Sequence, residues 1–173
     1  MQAAKHGVAG DGNWPAAEQF DYSGSGNITE LARHPHDAGV WLGGVGNLEH
    51  LPAGVTAVVS LCRVGTEQVP VGLEHVEVWL LDEEAPALNP NLDFVLRDTA
   101  DAIATLRAEG HIVFLHCVQA ISRTPTIAVL YSARHLDIPI EKAIADIKRV
   151  LPMANPNRTF AEALLPHYMD GSF

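Results

Sequence analysis

Apolar positions along this chain switch between two periods, and the switching reads as strand followed by helix. Val40-Trp41-Leu42 is a short apolar run that Gly43-Gly44 would stop, and Val55 to Leu61 is a β-branched run ending at Cys62; both predict strands. Leu48 to Leu51 predicts a helical turn, and Val76 to Leu81 another strand, closed by the acidic loop Asp82-Glu83-Glu84. From Asn91 to Glu109 the residues Leu92, Val95, Leu96, Thr99, Ile103 and Leu106 fall at helical spacing, with Gly110 as a natural stop. Ile112 to Leu115 is a fully apolar central strand. Pro125 to Leu136 is the helix after it, Ile140 to Val150 an amphipathic helix entered through Pro139, and Phe160 to Tyr168 a short final helix. Strands alternating with helices predict an α/β domain with a largely parallel central sheet flanked by helices. Chemistry in such sheets collects at the carboxyl ends of the strands. Cys62, Asp82 and Cys117 all stand at predicted strand ends, so one sheet edge could gather all three.

The first 37 residues differ from the rest. They are rich in Gly, Ser, Asn and Asp, with isolated Trp14, Phe20 and Tyr22. Residues 1–37 therefore read as a flexible or extended N-terminal arm, its first dozen or so disordered, and residues 38–173 as one folded domain. The formal charge of −10 argues against nucleic acid and anionic membrane as broad partners, since both need basic surface. It does not exclude an anionic substrate, because a local nest of amides can reverse the field inside one pocket. No apolar run is long enough to span a membrane, and Met1 to Ala9 lacks the apolar stretch of a signal peptide. Two cysteines 55 positions apart make neither a disulfide framework nor a zinc-ligand set, and a cytoplasmic setting is expected. The nine histidines include no pair at the i, i+4 spacing of a metal site, so no metal or other cofactor is expected.

The chemistry concentrates in His116-Cys117-Val118-Gln119-Ala120-Ile121-Ser122-Arg123-Thr124-Pro125. An apolar strand precedes this stretch and helical periodicity follows it. A loop so placed turns successive amides inward at the positive end of a helix and makes an anion-binding nest. The same field favours a thiolate at Cys117, and Arg123 can clamp two phosphate oxygens with its planar fork. The pattern resembles the signature H-C-x-x-G-x-x-R-[S/T] of the dual-specificity branch of the cysteine-dependent protein tyrosine phosphatases. The resemblance runs from about Val40 to Leu165 and includes Pro156-Asn157 followed by Phe160, similar to a late P-N-x-x-F element.

That resemblance implies a metal-independent phosphatase acting on a phosphorylated protein or a small, nucleotide-like phosphorylated molecule. Cys117 would be the nucleophile, Arg123 the phosphate clamp, and His116 an orienting group behind the thiolate that favours its anion. Thr124 would donate to the Cys117 sulfur, cap the helix, or both. The amides of Val118, Gln119, Ala120, Ile121, Ser122 and Arg123 would hold the phosphate. A general acid stands some thirty residues upstream in the family. Asp82, 35 positions before Cys117, is the first candidate and Glu84, at 33, the competitor. Ala120 departs from the pattern, which has glycine there, and an alanine at positive φ costs about 1 kcal/mol. A phosphate-reading module with little turnover is therefore a second reading; sulfurtransferase or arsenate-reductase chemistry, which can share C-x5-R, is a third. Cys62 could trap an oxidised Cys117 as a disulfide, or be a small buried residue at a strand end. Asn155 and Asn157 could rim the pocket or simply form turns. The loop also resembles those of bacterial phosphatase domains beside ADP-ribosyl-hydrolase domains, which points to association with proteins of that type.

Overall fold

A computed structural model describes residues 31–169, so Trp14, Phe20 and Tyr22 and the expected disordered start lie outside the described residues. The five strands are β1 (Ala32–Arg33), β2 (Val40–Gly44), β3 (Ala57–Ser60), β4 (Glu74–Glu77) and β5 (Val113–Cys117). They form one sheet in the order β1-β2-β5-β3-β4. Only the β1–β2 pairing is antiparallel. The described end of the expected N-terminal arm thus joins the sheet as its edge, with the Arg33 guanidinium 4.4 Å from the Trp41 ring centroid. The helices are α1 (Leu92–Ala108), α2 (Arg123–His135), α3 (Ile140–Val150), α4 (Arg158–Leu164) and α5 (Pro166–Met169).

Strand alternation sorts the side chains onto two faces. Val113, Leu115 and Cys117 of β5 pack with Ala57, Val59, Val40 and Leu42 into the large core that the helices cover. Phe114 of β5 and Val58 of β3 face the other way, into a smaller core closed by Leu48, Val55 and Val69 from turns and loops. The central strand is therefore apolar on both faces, which is why its sequence shows no alternation. α2, with ten of its thirteen residues buried, lies under the sheet between the other helices.

Three elements differ from their sequence expectations. Gly43 and Gly44 continue β2 instead of stopping it: a Cβ at Gly43 would stand 2.9 Å from the Phe114 ring and 2.6 Å from Asn47 Oδ1, so the strand needs glycine to pack there. The fourth strand is Glu74–Glu77 and not Val76–Leu81, because the chain tightens at Trp79, where the Leu80 amide donates to the Val78 carbonyl at 3.0 Å. The single final helix is two, broken at Leu165 before Pro166, which has no amide to continue the ladder. Gly110 does end α1, at φ +90°.

A polar cluster fixes the chain between β1 and β2. Asp37 receives Arg107 on both oxygens, the Tyr131 hydroxyl and the Gly39 amide. Burial raises the Asp37 pKa, but those donors outweigh it and hold the carboxyl below its ordinary value. Asp146 is buried and bonded to His36, Lys142 and Arg149. His34 is buried against the Ala128 carbonyl, and burial pushes it down to about 4. His116 of β5, wholly buried, is likewise pushed to about 4.

Both folded values lie below the ordinary histidine value, so the unfolded chain binds more protons between pH 6.5 and 4. The contribution of neutral His34 and His116 is complete above that window and is lost as pH falls through it, at about 1.4 kcal/mol per pH unit for each. Urea unfolding from pH 7 to 4.5 should show this acid loss, to which His36, also lowered by burial, adds, and His34→Gln should reduce its slope. A stability independent of pH across that range would refute the assignment.

Candidate active site

The parallel strands bring their carboxyl ends to one edge, and the 117–123 loop leaves the sheet there. Cys117 is the last residue of β5 and is 2% exposed. The loop carbonyls point outward. That of Cys117 accepts from His116 Nδ1 at 3.1 Å, and that of Val118 from the Val45 amide at 3.0 Å. The Ile121 carbonyl accepts from the Asn155 amide at 2.7 Å, and that of Ser122 from Thr126 Oγ1 at 2.8 Å. With the carbonyls committed outward, the amides of Gln119 to Ser122 donate to no acceptor among the described residues. That is the backbone arrangement of an anion nest.

Ala120 makes the loop possible. Its φ is +59°, the left-handed conformation that glycine would take, and its methyl is buried. The loop therefore keeps the geometry expected of the glycine pattern at a strain of about 1–2 kcal/mol.

Arg123, the first residue of α2, reaches back across the sheet edge. Its Nη1 donates to the Leu80 carbonyl at 2.9 Å and to the Leu61 carbonyl at 3.1 Å, tying the segment after β4 to the one after β3. Its Nε is buried and has no partner among the described residues. One edge of the guanidinium is thus an anchor, and Nε on the other carries no bond among the described residues.

His116 faces the opposite side of the sheet. Its Nδ1–H donates to the Cys117 carbonyl, so Nε2 accepts the Ser60 hydroxyl proton at 2.6 Å. The Ser60 oxygen in turn accepts from His75 Nε2 at 2.9 Å, and the His116 ring stacks on Phe114. Burial keeps His116 neutral at ordinary pH. Neutral, it carries no positive charge toward Cys117, and its bond to the Cys117 carbonyl is the local hydrogen bond expected of it. Ser60 and His75 carry no sequence motif; only the register that sets Ser60 opposite His116 and Glu77 reveals them.

Thr124 departs from both roles expected of it. Its hydroxyl donates to the Gly43 carbonyl at 3.3 Å, and it lies inside α2, whose N-cap is Ser122. The helix starts two residues earlier than the sequence suggests, so Thr124 stands in the first turn against β2, and its proton serves the sulfur only if the hydroxyl rotates. Ser122 makes no side-chain cap; its hydroxyl accepts the Asn157 amide at 2.9 Å.

Asn157, expected to rim the pocket or to form a turn, makes two side-chain bonds. Its Oδ1 caps α4 by accepting from the Phe160 amide, since the helix starts at Arg158. Its Nδ2 also donates to Asp82 Oδ1 at 2.8 Å. Asp82 is thereby connected through one residue, by its side chain and its main-chain amide, to Ser122, next to Arg123. Glu84 lies further along the same loop, where its carbonyl accepts from Thr159 Oγ1 and its carboxylate from the Arg158 amide. Asn89 closes the base of the loop with two bonds to the Leu81 backbone. Cys62 is a free buried thiol one residue beyond the Leu61 carbonyl that Arg123 holds. Burial first, then its acidic neighbours, pushes it to about 11 against the pull of Arg123, which leaves it protonated at neutral pH and slow in thiol exchange.

Among the described residues no helix is long and apolar enough to cross a membrane. No protein-family model matches the chain. Over 119 residues it is 29% identical to Protein phosphatase Slingshot homolog 3 of Homo sapiens, covering 68% of this chain and 18% of that protein. Over 72 residues it is 32% identical to Dual specificity protein phosphatase 16 of Homo sapiens, covering 42% of this chain and 11% of that protein. The chain thus spans less than a fifth of the length of either. The crystal structure of human DUSP28 superposes with a TM-score of 0.69 at 25% identity, over 81% of this chain and 93% of that one.

The strain at Ala120 is measurable. Ala120→Gly releases about 1–2 kcal/mol but loses a buried methyl and gains unfolded-state entropy, so its urea stability should stay within about 1 kcal/mol of the parent. Ala120→Val, β-branched at positive φ, should lose more than about 2 kcal/mol. Equal effects from both substitutions would mean that the loop does not hold this φ.

Proposed function

We propose that the chain, which belongs to the dual-specificity branch of the cysteine-dependent protein tyrosine phosphatases, hydrolyses phosphate monoesters through a cysteinyl-phosphate on Cys117. The observation that carries the reading is a set of donors on the loop that follows Cys117 with no acceptor among the described residues: the amides of Gln119 to Ser122 and Nε of Arg123. Such donors suit the three equatorial oxygens of a phosphoryl group in transfer, whose charge they neutralise without reorganising.

In this mechanism the Cys117 thiolate attacks phosphorus, an S–P bond forms, and the P–O bond to the leaving group breaks. Asp82, as the carboxylic acid, gives its proton to the departing oxygen. Water then attacks phosphorus, Asp82 as carboxylate takes the water's proton, the P–S bond breaks and inorganic phosphate leaves. Asn157 orients Asp82 for both steps, and Asp82 is favoured over Glu84 because it alone connects through Asn157 to the phosphate loop. Thr124 assists departure of the Cys117 sulfur only after its hydroxyl turns from Gly43. The substrate class is a phosphorylated protein, in keeping with relatives described as protein phosphatases. The compartment is the cytoplasm, where thiols stay reduced.

The phosphate-binding module with little turnover is the second reading, and its motives are Ala120 and the open choice of general acid between Asp82 and Glu84. Because Ala120 takes the conformation of the glycine it replaces, turnover is favoured.

Turnover of 4-nitrophenyl phosphate in chelator should be lost in Cys117→Ser and fall by about a hundredfold or more in Arg123→Ala. Phosphate binding without turnover in the parent chain would instead establish the module. Asp82→Ala should slow phenyl phosphate, whose leaving group needs a proton, by about 10²–10⁴-fold and 4-nitrophenyl phosphate much less. Asn157→Ala should show the same leaving-group dependence at about tenfold. If Glu84→Ala gives that signature and Asp82→Ala does not, the acid is Glu84.

A further inference from the structure

Large apolar side chains left exposed are concentrated beside the acid loop. Of the seven among the described residues, Trp79, Leu81, Leu88 and Phe94 fall within sixteen consecutive positions, and Val118 lies on the phosphate loop itself. Trp79 is 72% exposed but not loose. Its Nε1 donates to Glu77 Oε1 at 2.6 Å, and the Arg63 guanidinium lies 5.5 Å from its ring centroid. A large aromatic side chain held in one orientation while facing water is poised for contact, because little entropy remains to be lost on binding.

Beside Trp79 opens a cavity of about 110 Å³, lined by Leu80, Leu88, Pro90, Leu92 and Val95 together with Asn89 and Asn91. The Asn89 amide is already committed to the Leu81 backbone, and a space of this size has room for one aliphatic side chain lying against Trp79 and Leu88. Leu80 connects it to the reaction centre: the residue borders the cavity, and its carbonyl receives Arg123 Nη1. Trp79 and Asp82 are three residues apart, at most about 11 Å along an extended chain. A substrate polypeptide covers that distance in about three residues. The exposed carboxylates of Glu77, Glu83 and Glu84 surround the region and disfavour acidic neighbours.

Resting on the phosphatase reading, we infer that this cavity is a substrate subsite: it takes an aliphatic side chain within three positions of the phosphorylated residue of a protein substrate, and Trp79 and Leu88 set that preference. The phosphoryl group is read by the 117–123 loop and the flanking sequence by the apolar wall between β4 and α1.

The test uses a matched set of phosphopeptides carrying Leu, Ala or Glu at each of the three positions on either side of the phosphorylated residue. Leu should exceed Ala in kcat/KM by about tenfold at one or more of these positions, with Glu lowest. Trp79→Ala and Leu88→Asp should each erase that preference while leaving turnover of 4-nitrophenyl phosphate unchanged, which also shows that the variants fold. Calorimetric binding of the same peptides to Cys117→Ser reads the preference without turnover. Inactive parent chain with the Leu preference intact would thus sink the phosphatase reading and keep the subsite. No preference at any position, or a preference that survives both substitutions, overturns the subsite. Peptide-independent dimerisation lost in Trp79→Ala overturns it in favour of a second copy of the chain.

Discussion

The site depends on one guanidinium. Arg123 Nη1 is shared between the carbonyls of Leu61 and Leu80, and these two bonds join three segments that no strand pairing connects at that point: the start of α2, the exit of β3 and the exit of β4. A cation bonded to two carbonyls is a strong, charge-assisted joint, worth more than ordinary neutral hydrogen bonds. It fixes the height of the acid loop, because Asp82 follows Leu80 by two residues. It also orients the rest of the guanidinium, whose Nε is left with nothing to donate to among the described residues. Anchoring and ligand binding are thus divided between two edges of one planar group, which lysine, a point charge on a flexible stem, could not do.

A second joint closes the arrangement from the other side. Asn157 spends its amide on Ser122, its side-chain carbonyl on the first turn of α4, and its side-chain NH₂ on Asp82. The proposed acid and the proposed phosphate loop therefore share a frame through Arg123 and again through Asn157. Within it the loop carries its strain at Ala120, held in a left-handed conformation because the carbonyls around it are committed to Val45, Asn155 and Thr126. Strain of that kind persists where surrounding bonds over-determine the backbone.

Much of this was legible in the chain because it is local. The alternation of strand and helix, the loop between β5 and α2, and the demand for positive φ at position 120 all follow from residues within one window. What the sequence hid is non-local. Asn157 reads as a pocket-rim or turn residue, and nothing in its neighbourhood announces its bond to Asp82, 75 positions away. Ser60 and His75 become partners of His116 only through strand register. The bond of Thr124 to Gly43 depends on where the helix begins and on how closely β2 passes. The position of β4 failed because Val76 to Leu81 is apolar enough for a strand, yet the chain turns at Trp79 and leaves that side chain in water. The residue that broke the pattern is the one on which the subsite rests.

The central claim is that phosphorus passes through the sulfur of Cys117. Rapid acid quench of the Asp82→Ala variant during turnover of 4-nitrophenyl phosphate, followed by peptide mapping under conditions that preserve thiophosphate, tests it directly. Asp82→Ala is chosen because slowing the water step should let the intermediate accumulate. A phosphoryl group on the peptide containing Cys117, chased by time and absent in Cys117→Ser, is the predicted result. Turnover with no phosphorylated cysteine at any quench time, or with the phosphoryl group on a histidine, would contradict it.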